Sequence, residues 1–191
     1  MLIEERELHY LPEQPLRAWR LFRVRSGGDG LVLSSPMYHD DATGLTPLWP
    51  ARRSAAVCYE DHEAPAAGCR CGIYGAVEGT VDSLPGYLQD TAYETDPWAC
   101  AEIACYGRVF VDMRGVRAQH ASLCRIALPE TCYAGEAARE AARRGLRERY
   151  GVCVTGMEAV PGWLTAGSRD TGPPADEVHL SLDLERLDLR T

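Results

Sequence analysis

The chain has 191 residues, 46% of them hydrophobic, which suits one domain with a sizeable core and excludes wholesale disorder. Its net charge of -8 works against nonspecific binding to a phosphate backbone or an anionic bilayer. All 20 cationic side chains are arginine, so a Schiff-base lysine, a G-K-[ST] phosphate loop and a kinase-type strand lysine are all missing.

Residues 1–16 read as an extended lead-in broken by Pro12 and Pro15. Their acidic start has neither the basic residues nor the apolar stretch of a secretory signal. No apolar run approaches the roughly 20 residues that cross a bilayer, so the expected location is cytoplasmic, with no membrane partner. Thiols stay reduced in that compartment, and eight cysteines then need not mean four disulfides.

"AWRLFRVR" alternates, with Trp19 and Leu21 on one side and Phe22 and Val24 on the other. Neither face is cleanly polar, but aromatic and branched residues favour a strand. "SGGDG" at 26–30 is a turn and "LVLSS" the returning strand of a hairpin. Residues 34–50 are rich in prolines and turn formers and read as a long loop. "SAAVCYE" reads as a short strand, and "GIYGAVEGTVDSLPGYLQD" mixes helical spacing with helix-weakening glycines and Pro85. The strongest sheet signal spans 99–128, with one long strand, a turn at "MRG" and two short strands after it. Gly107 inside the long strand predicts a bulge or sharp bend.

"GEAAREAARRGLRERYG" predicts a helix over 136–150, with Ala138, Ala142, Leu146 and Tyr150 as its apolar stripe and Gly151 as its stop. Residues 161–191 read as a linker, "TAGSRDTGPPAD", and a strand-like tail with Val178, Leu180, Leu182 and Leu184 on one face. The expected fold is α+β: one domain over 17–160 built on a small, strongly bent, mostly antiparallel, barrel-like sheet, with one helix in the C-terminal half.

The chemistry-bearing stretch is "CYEDHEAPAAGCRCG", residues 58–72. Zinc takes four borderline ligands in a tetrahedron, and Cys58, His62, Cys69 and Cys71 supply three thiolates and an imidazole. In C-x3-H, one helical turn puts both side chains on one face. In C-x-C, an extended segment points both thiols the same way, and Gly72 permits close backbone approach. Four protein ligands leave no open position, so such a zinc is structural. The competing reading is ordinary reduced thiols in a core and a solvated His62 between Asp61 and Glu63. C-x-C is one residue short of the usual redox motif. Cys100 and Cys105 have opposite strand parity and should face different sides. Core packing is the default for both, as for Cys124, Cys132 and Cys153.

Two further constellations stand apart. Arg139, Arg143 and Arg147 on the predicted helix offer a face for phosphate or an acidic partner, although Glu136, Glu140 and Glu148 also make it an ordinary solvated, ion-paired surface. His39, Asp40 and Asp41, with His120 on a neighbouring strand, have the residue types of an acid–base site, but no catalytic motif accompanies them.

"HEAP", "CRCGIYG" and, some thirty residues on, "YGRVFVDMRGVRAQHA" together resemble a group of actinobacterial and actinophage proteins. That group carries a histidine, a short proline loop, a C-x-C-G-I-Y-A-like motif and a G-R-V…G-x-R-A pair of strands. The resemblance covers roughly residues 17–153, with Gly75 where alanine is expected. It implies that the cysteine stretch and the later strands form one unit, and it implies no activity. The leading expectation is a cytosolic binding or regulatory module with a structural zinc and a protein partner. An enzyme around residues 39–41 and His120, and nucleic-acid binding through the arginine helix, are the alternatives.

Overall fold

The computed structural model describes residues 5–35, 48–78 and 97–165. Its centre is a hairpin of two long strands, β7 (Trp98–Asp112) and β8 (Gly115–Leu128). Branched and aromatic residues along both favour the extended backbone. Asp112 closes the turn, its carboxylate accepting from the backbone N–H of Arg114 at 2.7 Å and of Gly115 at 3.1 Å. The turn expected at "MRG" is there, but where two short strands were expected after it β8 runs as one strand.

The other strands hang from this hairpin. The free side of β7 takes β2 (Leu16–Gly27) along 98–105 and β1 (Arg6–Tyr10) along 107–111. The extended lead-in is therefore partly a sheet strand. β3 (Gly30–Ser34) folds back on β2 as predicted, and β4 (Leu48–Trp49) adds to β3. On the far side of β8 lie β6 (Ile73–Gly75), β5 (Arg53–Ala55) and β9 (Cys153–Gly156), in that order along the strand. Among the described residues the sheet has nine strands and only β9 runs parallel, so it is mixed.

The sheet is not closed into a barrel. The bulge foreseen at Gly107 is there, with φ +77° and a register shift between Tyr106 and Val109. A Cβ at this glycine would lie 3.0 Å from the His120 ring. A second shift, between Glu102 and Ile103 opposite the extra residue Cys124, was not foreseen. Two bulges are not enough for closure, because β5 and β6 have three residues each and cannot carry a ladder round to β2. Among the described residues a single bridge crosses that gap: Trp19 and Ala76 exchange N–H···O bonds of 2.8 and 2.7 Å. Gly75 allows that approach, since a Cβ there would meet the Cβ of Ala18 at 2.8 Å.

Both sheet faces are covered, which explains the two-sided apolar pattern of β2. One face packs Ala18, Phe22, Ile103, Cys105, Leu123 and Ile126 with Leu146 and Tyr150 of helix α1 (Glu136–Tyr150). The other packs Trp19, Leu21, Trp98, Cys100 and Ala127 against Val160 and Leu164. These follow β9: Val160 ends a 3-10 turn (Met157–Ala159) and Leu164 lies in the short helix α2 (Gly162–Thr165). Cys100 and Cys105 thus face opposite sides, as their parity required.

Helix α1 has the predicted bounds, and Gly151 caps it in the left-handed conformation with its N–H on the carbonyl of Arg147. Its last residue locks it to the sheet: the buried Tyr150 hydroxyl accepts from the Leu33 N–H at 2.8 Å and donates to the Trp49 carbonyl at 2.7 Å. Trp49 in turn meets Phe22 edge-on with ring centroids 5.1 Å apart. No helix among the described residues is long and apolar enough to cross a membrane. The "HDD" loop, the ambiguous stretch beyond residue 78 and the tail from 166 lie outside the described residues.

Tyr150→Phe keeps the ring but strands a buried N–H and a buried carbonyl. It is expected to lower unfolding stability by about 1–3 kcal/mol. That corresponds to roughly 2–10 °C in Tm by calorimetry.

Candidate metal centre

Residues 56–72 leave β5, loop out and return as β6. The loop is stapled to the hairpin by three side chains that sequence reasoning missed. The Glu63 carboxylate accepts from Arg108 at 2.9 Å and from the side-chain amide of Gln119. Arg117 of β8, only 8% exposed, sends one Nη to the carbonyls of Cys69 and Cys71, at 2.6 and 2.7 Å. Its remaining donors meet Glu5, with Nε at 2.9 Å, and its plane lies 4.9 Å from the Phe110 ring centroid. A charge this deep needs such complete pairing to be tolerated.

Local turns then aim the ligands. The Cys69 N–H bonds to the Ala66 carbonyl across a tight turn, with Gly68 at φ +77°. Gly72, at φ +131°, lets the chain pass against the hairpin, where a Cβ would lie 3.1 Å from that of Arg117 and 3.2 Å from that of Pro65. The C-x3-H half forms no helical turn; bends carry it, with the His62 N–H on the Glu60 carbonyl at 2.8 Å.

All four predicted ligands come together. Cys58, His62, Cys69 and Cys71 are half-buried, and their Sγ and ring-nitrogen atoms lie within 4.8 Å of one another. Cys58 Sγ is 3.7 Å from Cys69 Sγ, and His62 Nε2 is 3.2 Å from Cys71 Sγ. Nδ1 of His62 faces the Glu60 carboxylate at 3.7 Å, which turns Nε2 to the thiols. A backbone hydrogen bond from Cys71 holds the Cys69 thiol below its usual range, whereas burial pushes Cys71 up to about 11. Three sulfurs and one nitrogen converging this closely can hold a metal ion, which would take the thiols as thiolates.

The other candidates do not converge. Arg139 pairs with Glu130 and Glu136, and Arg143 with Glu140 at 3.2 Å, three residues apart. These arginines are largely neutralised on the helix surface, and Arg147 is exposed beside them. His120 stacks on Tyr106 with centroids 5.3 Å apart, while His39, Asp40 and Asp41 lie outside the described residues. Cys153 is exposed rather than in the core, because β9 turns it outward at its first residue; Cys124 and Cys132 are half-buried. No family model, curated protein or solved structure matches the chain.

Burial pushes Cys100 and Cys105 each up to about 12, so both remain neutral thiols at pH 8. With a disulfide reagent at that pH, Cys153 is expected to react first. Cys100 and Cys105 should react only at the rate of unfolding, as read by mass mapping of the labelled chain.

Proposed function

We propose that Cys58, His62, Cys69 and Cys71 hold a closed structural zinc in a cytosolic binding or regulatory module whose partner is a protein. The observation that carries the metal reading is the convergence of four ligand atoms within 4.8 Å. A tetrahedral zinc with Zn–S of about 2.3 Å and Zn–N of about 2.0 Å separates its ligand atoms by roughly 3.5–3.8 Å. The 3.7 Å between Cys58 and Cys69 Sγ matches that spacing, the 3.2 Å between His62 Nε2 and Cys71 Sγ is slightly shorter, and pairs as wide as 4.8 Å would close on the ion. The half-buried setting and the Glu60 carboxylate behind His62 are also what a zinc-bound imidazole uses.

Four protein ligands fill a tetrahedron, so the ion organises the loop and activates no water. The same loop supports the binding role. Val57 and Tyr59, either side of Cys58, are 79% and 68% exposed, and large apolar groups held in solvent beside a rigid centre are the raw material of a protein contact. The net charge and the paired helix arginines leave nucleic acid as the weaker reading.

Full-length protein purified without added metal is expected to carry close to one zinc per chain by elemental analysis. Cobalt exchanged into the site should give the intense visible bands of a tetrahedral thiolate centre. Cys71→Ser should lose the ion and Cys153→Ser should keep it. Less than about 0.2 zinc per chain, with the loop thiols titrating freely, would sink the zinc reading.

A further inference from the structure

We infer that the partly buried Arg117–Glu5 pair couples metal occupancy of the 58–72 loop to the docking of β1 on β7. This rests on the metal reading above. Arg117 touches both parts. Its Nη1 serves the carbonyls of Cys69 and Cys71, the two residues whose sulfurs complete the ligand set. Its Nε and Nη2 serve Glu5, the residue just before β1. The guanidinium is planar and its donors are fixed, so it meets both sets of acceptors only when both lie in its plane.

With the ion in place, the thiols hold the 69 and 71 carbonyls on Arg117. Without it, Cys69 and Cys71 lose their common anchor and those carbonyls are free to leave. A nearly buried cation then loses two charge-assisted hydrogen bonds and must draw in water or follow the loop. Either movement opens the Glu5 contact to solvent and weakens it. Besides Glu5, β1 is held by its five rungs on β7 and by Tyr10 against the core. It is an edge strand of five residues, four of them exposed, and among the described residues it pairs with 107–111 of β7 alone. Two states therefore differ in contacts that the metal touches on one side and β1 on the other, which is the requirement for coupling. The output is a bare stretch of β7 edge from Gly107 to Val111, a surface for strand addition.

Hydrogen exchange of the full chain, loaded with one equivalent of zinc and then stripped with a chelator, tests the coupling. Stripping should speed exchange about tenfold at 6–10 and 107–111, as well as through 58–75, and leave α1 and the 98–105 rungs unchanged. In Arg117→Lys the charge stays but the fork is lost, so the loop should still respond to zinc while 6–10 no longer does. A response confined to 58–75 in the native chain overturns the coupling and keeps the metal site. A uniform response that includes α1 also overturns it, since the loss would then be global. A persisting response at 6–10 in Arg117→Lys overturns the assignment to Arg117. If elemental analysis finds that no metal binds, the metal reading itself has failed. Should Arg117→Lys not fold, the native exchange pattern still decides.

Discussion

The β7–β8 hairpin is the constraint on which everything else depends. One long antiparallel ladder offers two free sides, and the other strands use them in turn: β2 and β1 along β7, then β6, β5 and β9 along β8. The ligand loop spans the gap between β5 and β6, so both its ends are fixed by hydrogen bonds to β8 only a few rungs apart. Arg117, Gln119 and Arg108 project from the same hairpin to the loop. A short, irregular loop can hold four ligand atoms together because its frame is rigid, not because the loop is.

Most of the fold was legible where periodicity or turn chemistry is strong. The α1 helix, its glycine cap, the β2–β3 hairpin, the long strand after 98 and the Gly107 bulge all follow from spacing and residue type. The apolar character of both faces of β2 was visible, and its cause was not. A second cluster, built from Val160 and Leu164, buries the face that a one-core picture would leave wet. Barrel closure was over-read from one glycine. Closure depends on the length of the last strands; a short strand was read at "SAAVCYE", which begins within β5, but β6 was not foreseen, and both have only three residues.

The candidate ligands were legible because cysteine and histidine clustered within fourteen residues are conspicuous. What orients them was not. Arg117 sits between Val116 and Ala118 as one arginine among 20, and its partner Glu5 lies 112 residues away. Glu63 read only as an acidic neighbour of His62, and it also staples the loop to Arg108. Ligand identity is a local property of the chain, whereas the frame that positions a ligand is a long-range one. The exposed Cys153 is the converse case: small apolar neighbours suggested a core, and only strand direction at β9 decides otherwise.

The order in which the chain is made gives the arrangement one more consequence. Synthesis runs from the N-terminus, so β1 and β2 emerge well before the strand they pair with; Arg6 waits for Val111 and Leu16 for Cys105. The ligand set, in contrast, is complete at residue 71, before any of the hairpin exists. A nascent chain of this topology holds β1 and the first part of β2 without their β7 partner until that strand is made, while the end of β2 can already fold onto β3. Those strands carry Arg6, Glu7, Arg17, Arg20, Arg23 and Arg25, charges of the kind that keep a waiting strand from pairing with the wrong neighbour.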